Sequence, residues 1–264
     1  MSTTAPVPVR PPLPSALAGT TAVLVGGSSG IGLAAGVLLR SVGARVVLVG
    51  RDPDRLKSAV ARVRSAGPAD APDDAVLAVA GDSGEDRTLT EAFDRAGHVD
   101  HVLLTAGGMG GIGPLTELTA DDYDESLGSR LRSSFAAARA AATRLPAGGS
   151  LTFTSGILVL RPGPGMTTLL AAAGAVESLT RALAVELAPS RLRVNTLRFG
   201  RFDTPLLRGQ SGLDSDEAIS AAGAAAPLGR VGTPEEAAAA ALFLMANNYV
   251  TGQVLTVDGG ESLA

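Results

Sequence analysis

Gly26, Gly30 and Gly32 punctuate the stretch GGSSGIG that directly follows the apolar run TAVLV. Glycine tolerates φ > 0 and lets the backbone come close to another molecule, and a helix starting there aims free N–H groups at an approaching anion. With Ser28, Ser29 and Ile31, this turn is predicted to hold the pyrophosphate of a dinucleotide; a tight turn that binds nothing is the alternative. The next apolar run ends in Gly50 and Arg51. An acidic residue at Gly50 would bind ribose hydroxyls and repel a 2′-phosphate, whereas a guanidinium pairs bidentately with phosphate. NADP(H) is therefore favoured over NAD(H), unless Arg51 is only a solvated loop arginine.

Two further residues could act on a substrate. Arg130 stands in a long Ala-rich stretch with helical character, where an unpaired guanidinium is costly to bury and should meet an anion, a row of carbonyls or a substrate. A surface position, or ion pairs with Asp124 or Glu125, are the alternatives. Ser155 ends a strand-like run, either as a hydrogen-bond donor to substrate or as a strand-end hydroxyl. His98 and His101 flank Asp100 and are expected to be structural. The chain has no cysteine, and no metal site is expected.

The elements that must position these residues form one large α/β domain. From residue 20 onwards, short β-branched runs alternate with helical stretches, and the runs lack polar alternation, as in parallel strands buried on both faces by crossover helices. Seven strands are predicted in a Rossmann-type doubly wound parallel sheet, with helices on both faces and long helices over 119–145 and 167–187. Residues 1–18 hold five prolines and read as a flexible arm, leaving 19–264 as the folded domain. The poorly periodic residues 202–227 are either a mobile lid or a surface loop. The 264 residues are 45% hydrophobic and 18% charged with a net charge of −4, which argues for a packed globule and against nucleic acid or acidic membranes as partners. No 18-residue apolar run or leader is read, so a cytoplasmic protein with a small-molecule substrate is expected.

The spacing Gly-x-x-x-Gly-x-Gly resembles that of the short-chain dehydrogenases/reductases, and four further stretches agree. Asp82, followed by Ser83, looks like the family's adenine-contacting aspartate. TAGG, from Thr105 through Ala106 and Gly107 to Gly108, resembles its Asn-Asn-Ala-Gly turn. RVNTLRFGRFDTPL is similar to its Val-Asn-x-x-x-Pro-Gly segment with Phe199 for the proline, which implies that Phe202 and Thr204 face the nicotinamide. TGQVLTVDGG is close to its C-terminal signature. The resemblance also implies a homodimer or homotetramer built on the two long helices.

The family's carbonyl chemistry uses a Tyr-x-x-x-Lys pair, in which the lysine lowers the tyrosine pKa. The only lysine is Lys57, four residues after Pro53; the only tyrosines, Tyr123 and Tyr249, are followed four positions on by Leu127 and Gln253. The resemblance instead puts Leu169 at the tyrosine position, Ala173 at the lysine position and Arg130 at a family asparagine, retaining Ser155. Three readings follow: an NADP(H)-dependent oxidoreductase of unconventional mechanism acting on a small carbonyl, enone or imine, with Arg130 and Ser155 orienting the substrate; a catalytically silent nucleotide-binding or assembly protein; or a non-redox cyclase or lyase using the same pocket.

Overall fold

The computed structural model describes residues 13–68, 72–108, 110–210 and 212–264. Seven strands, β1 (Thr21–Val25), β2 (Arg45–Gly50), β3 (Val76–Ala80), β4 (His101–Leu104), β5 (Ser150–Gly156), β6 (Arg193–Phe199) and β7 (Val254–Val257), form one sheet in the order β3-β2-β1-β4-β5-β6-β7. Every pairing is parallel. The doubly wound fold read from the sequence is therefore the fold observed.

Side chains alternate along each strand between two buried layers. Ala22 and Leu24 of β1 and Val46 and Leu48 of β2 pack with α1 (Gly30–Ser41), α2 (Pro53–Ser65) and α9 (Pro234–Ala246). Val23, Val25, Val47 and Val49 pack with α3 (Asp86–Ala96), α5 (Ser133–Arg144) and α6 (Thr167–Glu186) on the other face. Both faces are covered, which is why these runs lack polar alternation. By length and hydropathy α6 is apolar enough to cross a membrane. Half of it is buried within the protein, as befits a core helix.

Three expectations about the elements change. The arm expected over 1–18 falls mostly outside the described residues, but a 3-10 turn at Pro14–Leu17 buries Leu17 completely, so the folded body begins before residue 18. The single helix expected over 119–145 is divided: α4 (Ala120–Leu127) is followed by a π-helical turn, Gly128–Arg132, and then by α5. The stretch 202–227 carries two short helices, α7 (Pro205–Arg208) and α8 (Asp216–Gly223), joined by Arg208, which pairs with both Asp203 and Asp216.

Opposite ends of the sheet do different work. At the strand N-termini, the Thr21 N–H donates to Asp100 Oδ2 at 2.9 Å, His98 Nε2 meets Asp100 Oδ1 at 3.2 Å, and His101 Nδ1 meets Ser150 Oγ at 2.9 Å. These contacts tie β1, β4 and β5 together and give both histidines structural partners. The C-terminal ends of the strands carry the glycine turn, Arg51, Asp82, Thr105 and Ser155, around the β1–β4 boundary where the strand order reverses. Ligands of open α/β sheets bind at that boundary.

Candidate active site

The glycine turn is built for close approach. Gly26 has φ +90° and Gly30 has φ +51°, both in the left-handed region that side chains disfavour. A Cβ on Gly32 would lie 2.3 Å from the Gly26 carbonyl oxygen and 2.7 Å from Thr105 Oγ1. Thr105 in turn donates to the Val25 carbonyl at 3.2 Å or the Gly26 carbonyl at 3.3 Å, so the loop after β4 clamps the loop after β1. Ser29, the N-cap of α1, makes no side-chain cap, leaving the first N–H groups of the helix open to a ligand. Ser28 faces Gly50, whose added Cβ would meet its Oγ at 3.0 Å, and Ile31 packs on the core.

Farther along the edge, Arg51 is exposed, with no hydrogen bond or ion pair among the described residues. Asp52 beside it is occupied as the N-cap of α2, accepting from the Asp54 and Arg55 N–H groups at 3.0 and 3.1 Å. A depression bordered by Ser28, Leu33, Arg55 and Arg62 lies between α1 and α2. Asp82 is exposed and accepts from the Gly84 N–H at 2.7 Å, which fixes the loop beyond β3. Ser83 shares a 2.9 Å hydrogen bond with Ser133 of α5.

On the other side of the boundary the π turn aims Arg130 inward. A π turn inserts one residue into a helical turn and rotates the side chains around it, a feature frequent at functional sites. The Arg130 guanidinium lies within 3.4 Å of two carbonyl oxygens, Thr154 of β5 through Nη1 and Gly108 beyond β4 through Nη2. It thus spans the two chains where they part, since the registered β4–β5 pairs end at Leu103↔Thr152 while β5 runs on to Gly156. Neither Asp124 nor Glu125 pairs with it; of the environments anticipated for it, Arg130 has found the row of carbonyls. Loss of water around the head group lowers its pKa, and among the described residues no carboxylate opposes that shift.

Ser155, read as either a donor to substrate or a strand-end hydroxyl, donates to Glu177 Oε1 at 2.7 Å, and both residues are buried. Glu177 is gripped by Arg198, with Nε at 2.9 Å from Oε1 and Nη2 at 2.5 Å from Oε2, while Arg198 Nη1 reaches Thr256 at 3.2 Å. Burial by itself raises the Glu177 pKa, but hydrogen bonds from Arg198 and Ser155 and the charges of Arg198 and Arg181 outweigh it and hold the carboxyl below its usual range. Glu177 and Arg198 were not anticipated. The signal was present, because an acid in a helix and a base in a strand that are both otherwise buried should find each other.

Leu169 and Ala173, on α6, are buried and offer no side-chain polar group, while Lys57, Tyr123 and Tyr249 are all exposed. Thr204 stands against the glycine turn, with its Cγ2 3.4 Å from where a Gly30 Cβ would lie, and its Oγ1 caps α7 by accepting from the Leu207 N–H at 3.3 Å. Phe202 behaves otherwise than implied. Its ring turns into the core on the α9 side, edge-on to Phe199 with centroids 5.2 Å apart, and occupies the space where a Gly232 Cβ would be. Among the described residues no cluster of His, Cys, Asp or Glu could hold a metal.

Comparison with known proteins identifies the family of the sequence and the fold. The family described as enoyl-(acyl carrier protein) reductase matches residues 25–262. The chain is 31% identical to the short-chain dehydrogenase/reductase ATR9 of Stachybotrys chlorohalonatus, covering 93% of this chain and 98% of that protein. It is 32% identical to the 3-oxoacyl-[acyl-carrier-protein] reductase FabG of Chlamydia muridarum, covering 93% and 98%. The solved MalC reductase/Diels-Alderase of Malbranchea aurantiaca superposes with a TM-score of 0.85 at 29% identity, over 94% of this chain and 98% of that one. In sequence and fold the chain belongs to the short-chain dehydrogenase/reductase family, whose members use NAD(P) nucleotides.

Proposed function

We propose that this protein is an NADP(H)-dependent oxidoreductase that reduces a small carbonyl, enone or imine without a tyrosine–lysine pair. The observation that carries the reading is Arg130: a guanidinium held at the β1–β4–β5 end of the sheet by two long carbonyl contacts, beside a glycine turn shaped for a pyrophosphate. The residues present fit a dinucleotide, since the cradle at Gly26 and Gly32 would be filled by any Cβ. Arg51, exposed and without a partner among the described residues, supports a cofactor that carries a 2′-phosphate. When bound, the nicotinamide supplies the hydride.

The chain's own residues do the rest. Arg130 donates to the substrate oxygen and stabilises negative charge that develops there, but it does not yield a proton near neutral pH. Leu169 and Ala173 line the family's tyrosine and lysine positions with hydrocarbon. Losing a general acid typically costs a factor of about 10² to 10⁴, which slows ketone reduction more than reactions leaving no alkoxide to protonate. A titration with NADPH and NADH, followed by a carbonyl, enone and imine panel read by nicotinamide oxidation, tests the reading; binding with no turnover on any of them points to the silent nucleotide-binding protein.

A second reading has its own support. MalC is named a reductase/Diels-Alderase, and a pocket that orients a substrate without donating a proton suits a cyclisation. Turnover with no nicotinamide oxidation would favour it. We further propose a cytoplasmic homodimer or homotetramer, supported by Phe135 of α5 and Val185 of α6, which are 53% and 78% exposed. Light scattering at the mass of a monomer would exclude the oligomer.

A further inference from the structure

A strand at the end of a sheet keeps one row of backbone groups without a partner strand, and that row is a template on which another chain can pair. β3 is such a strand. The Gly81 N–H donates to the Gly50 carbonyl of β2 at 2.9 Å, and successive residues of a strand turn their backbone groups to opposite sides. Leu77 and Val79 therefore face β2, while Val76, Ala78 and Ala80 face outward. Arginines take two of these outward carbonyls: Arg64 Nη2 donates to Val76 O at 3.3 Å and Arg95 Nη1 to Ala78 O at 2.7 Å. Arg64 comes from the last turn of α2 and Arg95 from the last turn of α3, helices on opposite faces of the sheet, so the edge is gripped from both layers. A basic residue in a last turn commonly serves the carbonyl end of its own helix. Here each guanidinium reaches the strand, and Glu91 Oε1, 3.5 Å from Arg95 Nη1, steadies one of them. At the other edge no side chain among the described residues reaches the backbone carbonyls of Val254 and Thr256, which face outward from β7. Capping is thus particular to β3.

We infer that Arg64 and Arg95 guard the β3 edge against pairing with the same edge of a second copy, and so confine self-association of this chain to its other surfaces. An incoming strand must donate to the outward carbonyls of β3 and accept from its outward N–H groups. The arginines occupy those carbonyls already. Two-fold pairing of β3 with β3 would also crowd the guanidinium groups of both copies together and strip water from them, which is costly. The chain carries a net charge of −4, so making both positions neutral leaves it more negative and raises the repulsion between copies. Any association gained by that change must come from the edge itself. The inference stands apart from the redox reading and does not need it.

The test is the full-length double variant Arg64→Met/Arg95→Met, which removes charge and donors but keeps much of each apolar stem. Arg62→Met, also exposed in the last turn of α2, is the control. Circular dichroism verifies folding, and light scattering reads the mass as protein concentration rises. The double variant should form species of at least about twice the mass of the unaltered protein, with amide exchange at Ala78 and Ala80 slowed about tenfold or more. Arg62→Met should keep the unaltered mass. Adding Ala78→Pro to the double variant should restore that mass, because proline removes an N–H that faces outward and spares the β2–β3 ladder. If the double variant does not fold, Arg64→Met and Arg95→Met singly are read in the same way. An unaltered mass in the arginine variants overturns the inference. So does a rise that Arg62→Met reproduces, or one that survives Ala78→Pro.

Discussion

Thr105 Oγ1 lies 3.3 Å from the carbonyl oxygen of Gly26, so a side chain from the end of β4 fixes the backbone of the turn that follows β1. The same hydroxyl is 2.7 Å from the place where a Cβ on Gly32 would stand. The turn is therefore held in one shape from outside its own loop, and that shape leaves no room for a side chain.

Gly32→Ala is accordingly expected to displace Gly26 and Thr105 together. NADPH affinity should fall at least tenfold, and overpacking should destabilise the fold by about 1–3 kcal/mol. Fluorescence titration of NADPH and thermal unfolding measure the two effects.

Arg51→Ala should weaken NADPH by roughly tenfold or more and leave NADH nearly unchanged, because only the former carries the 2′-phosphate a guanidinium would pair with. An equal loss for both nucleotides would place Arg51 elsewhere in the binding surface.

Arg130→Met should lower kcat/KM on whichever substrate is found by about 10²-fold or more, with nucleotide affinity preserved. Stability should hold or rise, since the substitution removes a desolvated charge that has no acidic partner among the described residues. A Tm drop of many degrees with activity intact would instead assign Arg130 to the scaffold.

The Glu177–Arg198 pair predicts a pH response. The folded Glu177 carboxyl has a pKa below its unfolded value of about 4.3, so its contribution is fully present above that pH and is lost as pH falls through the lower folded value. Arg198→Met removes the interactions that outweigh burial, so the carboxyl should move the other way. The variant should then lose about 3–5 kcal/mol at pH 7 and regain part of it on acidification to pH 4. Urea unfolding at the two pH values reads the difference.

Local features were legible in the residue order. The glycine turn and the seven apolar runs are each written within a few neighbouring residues. The π turn was not, because alanine on several faces of the helix gives no phase from which an extra residue could be noticed. Ser155 meets Glu177 across 22 residues and Arg198 meets it across 21, contacts that exist only once α6 has packed beside β5 and β6. Phe202 shows the same limit: its position in a motif did not reveal that Phe199 and the bare backbone of Gly232 would draw its ring into the core.

Asp100, His101 and Ser150 fasten the sheet at one rim, while Arg130, Ser155 and the glycine turn occupy the other, about a strand length or 15 Å away. Anchorage and recognition are thus borne by different residues. Under the proposed function, side chains at the ligand rim are free to change while the opposite rim keeps the strands in register. A chain laid out in this way is free to change what it recognises without relearning how to fold.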